Sequence, residues 1–201
     1  MLDRIVELGN GHPMFLRLDW WPNDAGFAVV GAKAATRPAI TLLPILNYDP
    51  GNRPSASVFA QQAAQLAGLG FRYVNLLNEP NLGGWTAKDA ATYTNAARTA
   101  IAGRSLVVGP DVATGAAGVT PASALQWCED FRAAGGTVDI GAANFYGASS
   151  PPAAANPAWN LWSQASAIRA ALGVSALFCL EGGWPRGLPD ARGTVPRHSG
   201  V

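Results

Sequence analysis

The chain has 201 residues and a net charge of +1 at pH 7, from 14 Lys and Arg against 13 Asp and Glu, and apolar residues make up 49% of it. This length predicts one domain with a sizeable core, and the near-neutral charge argues against nucleic acid as the main partner. No run approaches the ~18 consecutive apolar residues of a membrane helix, so no membrane partner is expected. Two histidines and two cysteines are too few for a His-based metal site or a disulfide framework, and we expect neither metal nor cofactor.

Short apolar runs recur along the chain and start about every 33 residues. Their lengths and their content of Val, Ile, Leu and Phe are typical of buried strands. The six runs are Met14–Trp20, Ile40–Leu46, Tyr73–Asn78, Ser105–Gly109, Val138–Phe145 and Val174–Leu180. Helical patterns fill the gaps between them, which predicts parallel strands joined by right-handed crossovers.

The helices are expected to begin near residues that can cap a helix or start its apolar face. These residues are Ser57, Thr86, Thr120 and Leu161. The segment 22–38 has the weakest pattern and predicts a short helix.

Two layouts fit this alternation, a doubly wound sheet and a (β/α)8 barrel. The chain has no Gly-x-Gly-x-x-Gly after the first run and no P-loop, which removes the main nucleotide-binding reasons for a doubly wound sheet. A full barrel takes ~250 residues, and six units at this period account for about 200. The predicted fold class is therefore α/β, a TIM-type (β/α) barrel that is incomplete, with about six of eight units.

Two of the four glutamates stand in parallel contexts. Glu79 ends one apolar run as Asn78-Glu79-Pro80, and Glu181 ends another and is followed by Gly-Gly-Trp-Pro. They lie 102 residues apart, about three units of the repeat, so both are expected at the carboxyl ends of parallel strands, where barrel enzymes carry their active sites. Two carboxyl groups that face each other there can cleave a glycosidic bond, one as proton donor and the other as nucleophile or base. For either glutamate the alternative is a helix cap or an ion pair with an arginine.

These two motifs together resemble clan A of the retaining glycoside hydrolases, over most of the chain. In that superfamily of (β/α)8 barrels, the acid/base Glu follows an Asn at the end of strand four and the nucleophile Glu ends strand seven. The resemblance implies that Glu79 is the acid/base and Glu181 the nucleophile. It also implies that Asn78 holds the 2-hydroxyl of the sugar.

Other residues match supporting positions of the family. The resemblance implies that Tyr146 donates a hydrogen bond to the nucleophile and that Arg17 supports its charge. The family often has His where this chain has Asn144, whose amide can still bind a sugar. Tyr146 is otherwise a core tyrosine, and Arg17 is otherwise an ion-pair partner of Asp19 or Asp111. For Asp111 two roles are open, a contact to the sugar and a helix cap.

Aromatic residues near the predicted strand ends are candidates for stacking on sugar rings. Trp20 and Trp184 hold such positions, and Tyr48 is expected to face the proposed site. For Trp20 the alternative is packing at a covered edge of the core. Cys179, two residues before Glu181, is expected to be a buried apolar filler.

Mapped onto the family, Met14–Trp20 is strand two and Val174–Leu180 is strand seven, so strands one and eight are expected to be missing. Residues 186–201 are polar and rich in Gly and Pro, and we expect a flexible tail there. The chain is then a fragment, a naturally reduced barrel, or a homo-oligomer whose subunits cover each other, because open strand edges favour pairing. We expect exposed apolar surface beside the two end strands.

The sequence therefore predicts a single (β/α)-barrel-like catalytic domain, 1–201, that cleaves β-glycosidic bonds of an oligo- or polysaccharide by a retaining double displacement. The alternative is a catalytically impaired sugar-binding remnant of such a barrel. A doubly wound hydrolase is disfavoured because the chain has no Gly-x-Ser-x-Gly elbow. The first residues show no hydrophobic signal core, so the compartment is left unassigned, with export expected if the chain is part of a longer precursor.

Overall fold

A computed structural model describes residues 7, 12, 14–20, 25–115, 118–146 and 161–183. At residues 14, 25, 146 and 181–183 the backbone alone is described. The predicted tail 186–201 and Trp184 lie outside the described residues.

In the described part of residues 14–183, five α-helices connect six strands, with a short 3-10 helix at Pro50–Asn52. The strands are β1 (Met14–Trp20), β2 (Ile40–Leu46), β3 (Tyr73–Leu76), β4 (Leu106–Ala113), β5 (Ile140–Tyr146) and β6 (Leu177–Gly183). The helices are α1 (Ala25–Ala35), α2 (Ala56–Gly68), α3 (Ala87–Ile101), α4 (Pro121–Ala133) and α5 (Leu161–Leu172). None of these helices is long and apolar enough to span a membrane.

The strands form one parallel sheet in chain order, with β1 and β6 at its two ends. The sheet is strongly curled, because the rings of Phe15 on β1 and Phe178 on β6 lie 5.2 Å apart although four strands separate them in the sheet. Tyr73 on β3 contacts both rings from the same concave face. The chain thus forms an incomplete barrel of six parallel strands, and the predicted fold class is confirmed.

Apolar side chains fill both faces of the sheet. On the concave face, the fully buried Leu43, Val108 and Ala142 form one cluster. On the convex face, a larger core lies between strands and helices and includes Phe59 of α2 and Phe131 of α4, which are 0% and 1% exposed. Because side chains alternate between the two faces along each strand, every second position of β1 to β6 is available to the concave face that holds the candidate site.

The predicted bounds of β1 and β2 match the structure, whereas those of the other four strands differ. β5 and β6 begin and end later than predicted, at Ile140–Tyr146 and Leu177–Gly183. β3 ends at Leu76 instead of Asn78 because Leu77 takes a positive φ of 64°, which turns the backbone out of the strand. β4 continues to Ala113 instead of Gly109 because Asp111 to Ala113 pair with β5.

Two expectations for the helices are corrected. The segment 22–38 contains α1, which has eleven residues and is not short. α2 is capped by Ser55, whose hydroxyl accepts from the Val58 amide, and not by Ser57.

Apolar surface is exposed beside β1, as the sequence predicts for an end strand. Phe15 is 52% exposed, although its ring packs against Phe178 of β6. Unpaired strand edges with apolar neighbours favour association with another chain. Whether subunits of this chain cover these edges stays a prediction.

A capping box begins α4 at the predicted residue, Thr120. Its hydroxyl accepts from the Ser123 amide at 3.1 Å, and the Ser123 hydroxyl accepts from the Thr120 amide at 2.9 Å. We expect Thr120→Ala to lower the free energy of unfolding by about 1 kcal/mol, because the Ser123 amide at the helix start loses its acceptor. The change is measured by urea denaturation.

The matched control is Thr99→Ala in the body of α3, where the hydroxyl donates only to the Asn95 carbonyl. This exposed change is expected to shift stability by less than about 0.5 kcal/mol. Equal losses in both variants would contradict a capping role for Thr120.

Candidate active site at the carboxyl edge of the sheet

The turn after β3 places Glu79 at the carboxyl edge of the sheet. Leu77 and Glu79 both have positive φ angles, of 64° and 44°. Backbone hydrogen bonds hold this turn against β4, from the Glu79 amide to the Asp111 carbonyl at 2.8 Å and from the Asp111 amide to the Leu77 carbonyl at 3.3 Å. Left-handed backbone at non-glycine residues costs about 1–3 kcal/mol each and clusters at active sites.

Asn81 ties the far side of the same turn to the end of β4. Its Nδ2 donates to the Ala113 carbonyl at 2.8 Å, and its Oδ1 accepts from the Ala113 amide at 2.9 Å. The side-chain amide thus replaces a strand partner and fixes the backbone that follows Glu79. Sequence reasoning did not single out Asn81, although its place two residues after Glu79 was the available signal.

Asn144, near the end of β5, contacts Glu79 through its side chain and pairs with Glu181 through the sheet register. Its Nδ2 donates to Glu79 Oε1 at 3.0 Å, and the residue is fully buried. In the sheet, Asn144 is the register partner of Glu181 on β6. The Asn144 carbonyl accepts from the Thr114 amide at 3.0 Å, which fixes β5 against the loop after β4.

Arg17 of β1 reaches across the concave face to the β3 turn and to β4. Its Nη2 donates to Asn78 Oδ1 and lies 3.1 Å from Asp111 Oδ2. The Asp111 side chain is 0% exposed and that of Arg17 is 14% exposed. Of the alternatives for Arg17, the ion pair with Asp111 is therefore present. Asp111 lies within β4 and is not a helix cap, whereas a sugar contact by Asp111 stays a prediction. Support of the nucleophile by Arg17 stays a prediction.

Several predicted site residues are not brought into this group. Trp20 is 5% exposed and packs in the convex core, so its expected role in stacking on sugars is wrong and the core alternative holds. The physical reason is the alternation of side chains along β1, because Arg17 on the concave face places Trp20 on the convex face. Tyr48 is half-buried, and its hydroxyl donates to Gln62 Oε1 at 3.0 Å.

Two candidates cannot be placed by their side chains. Tyr146 is the last residue of β5 and Glu181 lies in β6, and for both the backbone alone is described. Their roles stay predictions, as does that of Trp184, which lies outside the described residues.

The two cysteines differ in exposure. Cys128 is buried in α4, and burial, with a smaller contribution from Glu129, raises the pKa of its thiol to about 12. Cys179 on β6 is exposed, so the expectation of a buried filler is wrong. Partial burial and then the negative charge of Asp111 raise the pKa of the Cys179 thiol. In the part of the chain that the structure describes, no group of three or more His, Cys, Asp or Glu could hold a metal ion.

Comparisons with known proteins gave a match among solved structures. No protein-family model and no curated protein matches the chain. The chain is similar to a crystal structure of a family GH128 (subgroup I) endo-β-1,3-glucanase mutant from Amycolatopsis mediterranei, in complex with laminaripentaose, with a TM-score of 0.49 and 18% sequence identity. The match covers 81% of this chain and 61% of that one, so this chain spans less than two thirds of its length.

Proposed function

We propose that this chain is the catalytic core of a glycoside hydrolase that cleaves β-glycosidic bonds with retention of configuration. In this proposal Glu79 is the acid/base and Glu181 is the nucleophile. The substrate is an oligo- or polysaccharide that binds over the carboxyl edge of the sheet.

One observation carries the proposal, namely that Asn144 contacts Glu79 and pairs in the sheet with the backbone of Glu181. Its amide is bonded to Glu79 Oε1 at 3.0 Å, and its register partner on the neighbouring strand is Glu181. Paired strands lie about 4.8 Å apart. This placement supports two carboxyl groups that flank one space a few ångströms wide, as glycosidic cleavage requires.

The first step forms a glycosyl-enzyme. The Glu181 carboxylate attacks the anomeric carbon while the carboxylic acid of Glu79 gives its proton to the glycosidic oxygen, and the bond between this oxygen and the anomeric carbon breaks. In the second step, the Glu79 carboxylate takes a proton from water as the water oxygen attacks the anomeric carbon. Glu181 then leaves as a carboxylate, and Glu79 is protonated for the next turnover.

The remaining residues have supporting roles in the proposal. Asn144 orients Glu79 through its hydrogen bond, and Asn78 binds the sugar 2-hydroxyl with the amide that faces away from Arg17. Tyr146 donates to Glu181, and Trp184 is proposed to stack on the sugar.

The stereochemistry of the first product tests the proposal. We expect hydrolysis of defined β-linked oligosaccharides to give the β-anomer first, because two displacements at one carbon restore its configuration. This outcome corresponds to carboxyl groups ~5–5.5 Å apart, whereas inversion corresponds to ~6.5–9.5 Å. Proton NMR spectra taken before mutarotation distinguish the two anomers.

Two outcomes would contradict the proposal. Initial formation of the α-anomer would assign Glu181 to water activation and exclude retention. Binding of the same oligosaccharides without any product, measured by calorimetry, would favour the sugar-binding remnant.

A further inference from the structure

Asp111 is a buried charged residue that the proposed reaction steps do not use. It lies in β4 below the carboxyl edge of the sheet, with 0% exposure. Burying a carboxylate is costly unless the charge is paired and hydrogen-bonded. Its cationic partner is Arg17 of β1, which spans the concave face from an end strand to β4.

The same guanidinium nitrogen of Arg17 that lies 3.1 Å from Asp111 Oδ2 also donates to Asn78 Oδ1. A guanidinium has donors and no acceptor, so the atom of Asn78 that faces Arg17 is its oxygen. The Nδ2 group of Asn78 is then directed away from Arg17. The Asn78 backbone is fixed independently, because its amide donates to Asn47 Oδ1 at 3.1 Å.

We propose that Asp111 is a positioning residue, which holds Arg17 in place so that the Asn78 side chain presents its Nδ2 group to the sugar 2-hydroxyl. The proposal rests on the proposed function, since it assigns a task to the Asn78 amide in that reaction. Asp111 touches neither the substrate nor the reacting atoms in this account. Its effect passes through one ion pair and one hydrogen bond.

The side-chain role of Asp111 is separable from its backbone role. Its carbonyl accepts from the Glu79 amide and its own amide donates to Leu77. Both bonds are kept in Asp111→Asn, which has nearly the same shape, loses the charge and exchanges one carboxylate oxygen for an NH2 donor. A substitution effect that appears at Asn78 but not at Glu79 therefore comes from the Asp111 side chain and not from its backbone.

The test compares an aryl β-glycoside that the enzyme hydrolyses with its 2-deoxy counterpart. We expect Asp111→Asn to lower kcat/KM about tenfold for the 2-hydroxy substrate, because the bond to this hydroxyl strengthens in the transition state. The 2-deoxy substrate should be nearly unaffected, since the interaction is absent from it. A purely structural defect would lower both values by the same factor.

A double-mutant cycle separates positioning by Asp111 from an independent contribution. Asn78→Ala is expected to show the same substrate dependence with a larger loss, and adding Asp111→Asn to it should cause almost no further loss. Additive effects of the two changes would overturn the proposal. The matched control is Asp139→Asn, which removes another ion-paired carboxylate, bonded to Arg98 at 2.7 Å, and should leave the ratio of the two substrates unchanged.

A second readout does not depend on activity. In 15N NMR spectra of the full chain, the Asn78 side-chain amide should change its chemical shift in Asp111→Asn, and unchanged Asn78 signals would overturn the proposal. If the wild-type chain hydrolyses no glycoside, the proposed function fails and the NMR result alone decides whether Asp111 orients Asn78. If Asp111→Asn does not fold, Arg17→Lys removes the guanidinium that contacts both Asp111 and Asn78 and should give the same change in the Asn78 amide signal.

Discussion

Replacing Glu181 by Gln is expected to reduce kcat for an aryl β-glycoside by about 10⁴-fold or more, because an amide cannot form the glycosyl ester of a double displacement. The substitution keeps the size of the side chain, so the loss measures chemistry and not packing. Steady-state rates with a chromogenic β-glycoside, together with the thermal unfolding temperature of both proteins, give the result. Undiminished turnover would exclude Glu181 as the nucleophile.

The chain offers a matched control for this change. Glu129 is exposed in the second half of α4, which runs back toward the amino edge of the sheet, away from the carboxyl edge. Glu129→Gln removes the same charge by the same chemistry and is expected to leave kcat unchanged. A comparable loss in both variants would indicate a general effect of charge or stability.

A shorter side chain at position 181 gives a second, stereochemical result. In Glu181→Ala, azide can enter the space of the lost carboxylate and attack the anomeric carbon from the face that Glu181 would have used. The expected product is the α-glycosyl azide, identified by NMR. Formation of the β-azide would place the missing nucleophile on the opposite face of the sugar and contradict the assignment.

The alternation of strands and helices could be predicted from the sequence because it follows from local patterns. β1 and β2 are short apolar runs with polar borders, and their bounds match the prediction. The end of β3 could not be predicted, since Leu77 and Glu79 leave the strand through positive φ angles. These angles depend on hydrogen bonds to Asp111, which lies on another strand.

The place of Glu79 just after a strand was likewise predictable, whereas the contacts around Glu79 were not. Glu181 was expected directly after a strand that ends at Leu180, but it lies within β6, which continues to Gly183. Its partner Asn144 is 65 residues away in sequence, and only the curled sheet brings the two together. For Trp20 the prediction failed for a different reason, because the residue type at a strand end does not reveal which face of the sheet the side chain occupies. The charged neighbour Arg17 held that information, since a concave-face arginine at 17 places residue 20 on the convex face.

Replacing Glu79 by Gln is expected to produce a loss that depends on the leaving group. For oligosaccharides, whose leaving alcohols need protonation, kcat/KM should fall about 10²–10⁴-fold, the usual contribution of general acid–base catalysis. For aryl β-glycosides with acidic phenols, the first step needs little help from the acid. The glycosyl-enzyme should then accumulate, because its hydrolysis still requires Glu79 as base, and both kcat and KM should fall.

Rescue by azide distinguishes an acid/base role of Glu79 from a structural role. In Glu79→Ala the space beside Asn144 Nδ2 opens toward the glycosyl-enzyme, so azide is expected to restore turnover of an activated aryl glycoside and to give the β-glycosyl azide. This product is the opposite anomer to the one expected for Glu181→Ala, because here azide attacks the ester that Glu181 has formed. The same azide anomer from both variants would show that the two glutamates do not act on opposite faces of the sugar. A uniform loss with every leaving group, without rescue by azide, would instead assign Glu79 a structural role in the turn after β3.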